Sequence, residues 1–164
     1  MHYRLLVFII GLLTLPACSS GGGGTQLATM TTVAEVPTTL LAIPTSGTLR
    51  AYVAIDGGVR TELSIVSSIA TRSIPSLSRA SHNVLLEFEF TDSGSNTVTV
   101  ATASKTVDLS AGDASLTFIN ADYDLANYDD DNDGLSNATE IAAGTNPMDS
   151  GCVLGTSLIG RCTL

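Results

Sequence analysis

A mainly β protein, an antiparallel β-sandwich followed by an acidic loop, a short helix and a closed tail, is what the 164-residue sequence predicts, on three observations. Apolar and polar residues alternate with period two through most of the stretch from Thr29 to Asn120, the spacing of a half-buried strand and not of a helix. Gly, Asp, Asn and Ser interrupt that alternation at turn-sized intervals. Behind it the composition changes. Of the sixteen acidic residues, half (Asp122, Asp124, Asp129, Asp130, Asp131, Asp133, Glu140 and Asp149) stand in one stretch that holds no Lys or Arg. The formal net charge of −9 is therefore local, and it asks for a cation as partner, whereas nucleic acid would ask for a basic face.

The first β segment runs from about Thr32 to Ile43 and is broken by Pro37, which places it at a sheet edge. Leu49, Ala51, Val53 and Ile55 then alternate with Thr48, Arg50, Tyr52 and Ala54. Asp56-Gly57-Gly58 turns the chain, and Val59, Thr61, Leu63 and Ile65 share one face of the returning strand, which makes a hairpin. Ser67 to Ser81, with Ile74-Pro75 inside it, carries no period and reads as a long connection. Val84, Leu86, Phe88 and Phe90 line the inner face of the clearest strand, with Glu87 and Glu89 outside. After the turn Asp92 to Asn96, Val98 and Val100 point inward; Val107 and Leu109 mark another short strand, and Leu116 and Phe118 the last. Six or seven such strands suit a sandwich of immunoglobulin-like size, although the absence of Trp and of an internal cysteine pair leaves only the architecture, not the family, to be inferred.

The acidic stretch contains a patterned loop. Asp129, Asp131, Asp133, the Leu135 carbonyl, Asn137 and Glu140 fall at positions 1, 3, 5, 7, 9 and 12 of a twelve-residue calcium loop, with Gly134 at the sharp turn of position 6. Calcium takes six to eight oxygens, and carboxylates this close repel one another unless a cation lies between them. The stretch entering the loop, Asn120 to Tyr128, lacks a helical apolar stripe, so a paired EF-hand is not expected. After it, Ser136 to Ala143 forms a short helix closed by Gly144 and stopped at Thr145-Asn146-Pro147. Asp122 and Asp124 are candidates for a second, poorer site, and Asp149 for a further ligand. The run Asp-x-Asp-Gly-Leu-Ser-Asn-x-x-Glu with Gly-Thr-Asn-Pro behind it, from Asp129 to about Asp149, resembles a single bacterial thrombospondin type 3 repeat. The resemblance implies a calcium-binding unit of the kind appended to secreted or surface proteins.

The amino end pairs the basic Met1-His2-Tyr3-Arg4 with an apolar run from Leu5 to Leu15, too short to span a bilayer. Leu15-Pro16-Ala17-Cys18 resembles the lipobox of bacterial lipoproteins. It implies that residues 1–17 are a removed signal peptide and that Cys18 carries acyl chains such as palmitate; the non-acidic Ser19 implies sorting to the outer membrane. Residues 18–28, rich in Gly and Ser, are then a tether, residues 29–121 the β domain, and residues 122–150 the calcium repeat. In residues 151–164, Cys152 and Cys162 close a glycine-containing loop by a disulfide in an oxidising compartment, for about 2–3 kcal/mol.

Catalytic sets are missing from the pattern. His82 is the one histidine beyond the signal segment, and the sequence fixes no carboxylate to orient it. Glu87 and Glu89 lie two apart on an outward face, the ordinary arrangement of a solvated strand. The expectation is a non-enzymatic, lipid-anchored calcium protein of the cell envelope that binds a protein or glycan and no nucleic acid, or else a structural lipoprotein of the envelope.

Overall fold

The computed structural model describes residues 26–42 and 47–149. The expected signal peptide, Cys18, most of the expected tether and the expected Cys152–Cys162 disulfide lie outside the described residues. Among the described residues the strands are β1 (Leu27–Glu35), β2 (Gly47–Ile55), β3 (Thr61–Val66), β4 (Ile69–Ser78), β5 (Ser81–Asp92), β6 (Thr97–Asp108) and β7 (Ala114–Phe118). A 3-10 turn at Thr38–Ala42 follows β1, another at Asn120–Asp122 follows β7, and one helix, α1 (Asn137–Ala143), comes last.

The strands form one curled sheet in the order β6-β5-β2-β3-β4-β1-β7. It is mixed, which corrects the purely antiparallel expectation: β1 and β7 run parallel, from Met30 beside Ala114 to Ala34 beside Phe118. β3 changes partners along its length. Thr61 to Leu63 pair with β2, whereas Ser64 to Val66 pair with β4, so this short strand joins a β6-β5-β2 flank to a β4-β1-β7 flank. The curl brings the two end strands near each other, and Lys105 Nζ of β6 donates to the Thr117 carbonyl of β7 at 2.9 Å.

Alternation decides which faces meet. On β5, Val84, Leu86, Phe88 and Phe90 are buried, as their spacing predicts, against Met30, Ala34, Val53, Leu63 and Phe118. On β6 the alternation breaks. Glu89 pairs with Thr99 but Phe88 pairs with Ala101, so Val100 is an extra residue, a β-bulge. Val98, Val100, Ala101 and Ala103 are all buried in consequence. What reads as two short strands is therefore one strand of twelve residues whose inward set changes parity at the bulge.

Three further expectations are corrected. β1 ends before Pro37 and lies between β4 and β7, so the proline marks the end of an internal strand and not a sheet edge. Val59 is 93% exposed because β3 begins only at Thr61. The long connection is in fact β4, which buries only Ala70 and hence shows no apolar period. Pro75 is tolerated in it because Ile74 pairs with Met30 and Leu77 with Ala28, leaving Pro75 and Ser76 in a bulge, with Ser76 at φ 64°.

α1 belongs to the same core as the sheet. Ala138 and Ile141 are buried in the cluster that contains Leu40, Phe88 and Phe118, and the helix packs against the Thr38–Ala42 turn and β6. Seven residues do not hold a helix by themselves. Burial of Ile141 contributes roughly 1.5–3 kcal/mol, and both ends are capped. Ser136 Oγ accepts from Thr139 N–H. At the other end Gly144, at φ 77°, donates to the Ile141 carbonyl while Thr145 donates to that of Glu140, a Schellman closure.

Candidate metal centre

The chain from Asp129 to Leu135 is a string of short turns in which Asp129, Asp131 and Asp133 each accept from a backbone N–H further along. Asp131 Oδ1 accepts from Asp133 N–H at 3.0 Å, Asp133 Oδ1 from Leu135 N–H at 2.7 Å, and Asp129 Oδ2 from Gly134 N–H at 3.0 Å. Gly134 sits at φ 95°, where a side chain would be strained, so glycine at this place follows from the turn itself. These bonds fix one oxygen of each carboxylate. Asp129 Oδ1 and Asp131 Oδ2 are buried and have no partner. One carboxylate oxygen from each of Asp129, Asp131 and Asp133 can be chosen so that all three lie within 4.8 Å of one another.

Glu140, in the first turn of α1, stands outside that cluster of three but feels its charge. It is 2% exposed, and its Oε2 is likewise buried without a partner. Burial, and then the charges of Asp131, Asp133, Asp129 and Asp149, push its carboxyl up to about 7. Asp131 is raised as well, by burial first; the hydrogen bond from Asp133 N–H opposes this, and the charges of Asp133 and Asp129 add to it. A buried carboxylate oxygen that no donor meets costs free energy, and here three such atoms belong to one loop. An oxygen-rich, cation-free set of this kind suits a hard divalent ion.

The other sequence candidates are placed differently. Asp122 binds Lys105 Nζ at 2.5 Å and Ile119 N–H at 2.7 Å, and Asp124 binds Asn127 Nδ2 and Ala126 N–H, so both have partners outside the loop. Asp149 is exposed, and its charge reaches Glu140. Leu135 gives its N–H to Asp133. Asn137 is fully buried, with Oδ1 accepting from Asp130 N–H at 3.0 Å and Nδ2 donating to the Thr99 carbonyl of β6 at 2.8 Å.

Away from the loop, the fold supplies a partner for His82 that sequence reasoning missed. Asp56, in the β2–β3 turn, lies 2.7 Å from Nδ1, and the Ser78 carbonyl lies 2.8 Å from Nε2, with Ser78 Oγ at 3.3 Å. The β2–β5 register that sets Ile55 beside Val84 was the available signal. The trio Asp56, His82 and Ser78 has the composition of a nucleophilic triad but not its proton arrangement. Both ring nitrogens face acceptors, which favours the doubly protonated imidazolium, and an imidazolium has no lone pair to take a proton from Ser78. The Ser78 carbonyl and then Asp56 raise the His82 pKa, and His82 followed by Asn83 N–H lowers that of Asp56. Glu87 and Glu89 are both paired with Arg60, at 2.7 and 2.5 Å.

A pH dependence follows from the first pair. The folded pKa of His82 lies above its unfolded value, so its contribution is complete below about pH 6.5 and is lost as pH rises through the raised value. Asp56 is shifted down, so its contribution holds above about pH 4 and is lost as pH falls through the lowered value. The melting temperature is expected to drop as pH rises above about 6.5, and His82→Gln to flatten that drop. An unchanged slope in the variant would show that the pair carries no stability.

Residues 129–150 match the bacterial TSP3 repeat. TSP3 repeats are calcium-binding, and the match takes in the aspartate cluster, Glu140, α1 and the turn behind it. No curated protein matches the chain.

Proposed function

We propose that the protein is a calcium-stabilised, non-enzymatic binding module of the bacterial cell envelope, held to a bilayer through lipidated Cys18. The observation that carries the calcium part is the set of buried, unpartnered oxygens on Asp129, Asp131 and Glu140. These residues, with Asp133 and the Leu135 carbonyl, are the proposed ligands. Bound calcium supplies the positive charge that this pocket lacks. The lipobox-like Leu15-Pro16-Ala17-Cys18 and the Gly-rich run after it support the anchor, and the disulfide-closed tail belongs to the same extracytoplasmic reading. The two flanks joined by β3 serve in this reading as the halves of a sandwich, which presents a protein- or glycan-binding face.

Extracellular calcium modules bind with dissociation constants of about 10⁻⁴–10⁻³ M. At millimolar calcium that linkage stabilises by roughly 0.5–1.5 kcal/mol, enough to rigidify a docked loop and too little to fold the sheet. Calcium titrated by calorimetry into the protein is expected to saturate at one site in the parent and to give no heat of binding with Asp131→Ala. Equal binding by the variant, or none by the parent at several millimolar calcium, would sink the reading.

A further inference from the structure

Asn137 occupies a ligand position in the loop pattern, yet its hydrogen bonds lead away from the carboxylates. Its side chain is fully buried and both ends of the amide are engaged. One partner, Asp130 N–H, lies inside the loop. The other, the Thr99 carbonyl, lies on β6, next to the bulge at Val100 where the β5–β6 ladder is interrupted. The orientation of the amide is settled by these partners, since an N–H needs the oxygen and a carbonyl needs the nitrogen. Around this contact the segment leading into the repeat touches β6 twice more. Thr102 and Asp124 exchange backbone hydrogen bonds at 3.2 and 2.8 Å, and Tyr128 OH meets Thr102 Oγ1 at 3.0 Å. Asn137 N–H, in turn, donates to the Tyr128 carbonyl at 2.7 Å.

We propose that Asn137 is a positioning residue and not a ligand: its carboxamide ties the cation loop to β6 through the Thr99 carbonyl, so that occupancy of the loop is felt by the sheet. The inference rests on the calcium reading above and assigns ligation to the carboxylates and the Leu135 carbonyl. The chemistry requires a side chain with an acceptor and a donor on neighbouring atoms. Aspartate has two acceptors and would set a carboxylate against the Thr99 carbonyl, while alanine and serine are too short to reach both partners.

Asn137→Asp separates the two roles by the sign of its effect. A ligand at this position would gain charge and bind calcium more tightly. A positioning residue would lose the tie to β6, leave a carbonyl unmet, and weaken binding by about tenfold or more. The test uses the full chain as parent, Asn137→Asp and Asn137→Ala, with calcium affinity from calorimetry and amide hydrogen exchange across β5 and β6. In the parent, calcium is expected to slow exchange from Thr97 to Ala103; in either variant, with calcium raised to saturation, that slowing is expected to disappear. Binding by Asn137→Asp as tight as the parent's, or calcium-dependent protection of β6 that survives in it, would overturn the proposal. A parent that takes up no calcium would overturn the calcium reading and the coupling with it. Exchange across Thr97 to Ala103 that is unaltered in calcium-free Asn137→Ala would overturn the tie to β6 alone.

Discussion

Near neutral pH and without calcium, Glu140→Gln is expected to melt at a higher temperature than the parent, and calcium is expected to narrow that gap. Glu140 is buried beside Asp131, Asp133 and Asp129, with one oxygen unmet, so in the calcium-free fold its charge is a cost. The sign follows from the pKa. A carboxyl whose folded value is raised from 4.5 to about 7 penalises the fold as pH rises above the unfolded value, and the penalty is complete near the raised one. A shift of that size corresponds to about 3 kcal/mol, and glutamine, close in shape and never charged, removes it. Calcium should then raise the melting temperature of the parent and leave the variant where it was. At about pH 4, where the carboxyl is protonated in both states, the calcium-free difference should vanish. A variant less stable than the calcium-free parent near neutral pH would show that Glu140 has a donor the fold provides.

Phe88→Ala is expected to be the most damaging single change in the core, at about 3–5 kcal/mol. Phe88 is fully buried at the centre of β5, and its ring meets Tyr123 edge to face at a centroid distance of 5.6 Å. Tyr123 OH in turn donates to the Glu35 carbonyl at the end of β1. One truncation therefore opens a cavity between both flanks of the sheet and loosens the segment that leads into the repeat. A small domain has only about 5–15 kcal/mol in reserve, so equilibrium urea denaturation should show a much lowered midpoint. Phe88→Leu, which keeps most of the volume, should lose markedly less. Equal losses for the two variants would mean that aromatic contact, and not volume, is what the position provides.

How much of this could be read from sequence depends on how local each cause is. β2 and β5 were legible because large apolar residues fall on one face of each for most of its length. The cation loop was legible because five of its six candidate ligands offer side-chain oxygens within twelve consecutive residues, and a turn that needs glycine has one at Gly134. β4 was hidden because it buries almost nothing, and its proline sits in a bulge that only pairing with β1 creates. β6 was split in two because one extra residue changed the parity of its inward face, after which alanines, weak signals of burial, took over. The Asp56–His82 and Asn137–Thr99 contacts join residues 26 and 38 positions apart, and no period within a segment reports them.

The parallel pairing of β1 with β7 has a mechanical consequence. A pull applied between the amino end of the chain and the repeat draws β1 backward from Leu27 and β7 forward from Phe118, along the lines of the strands. The hydrogen bonds from Met30 to Ala34 then resist in shear, all loaded together, instead of opening one after another from an end. A domain strung between a membrane and something it holds would meet tension across a seam loaded in shear.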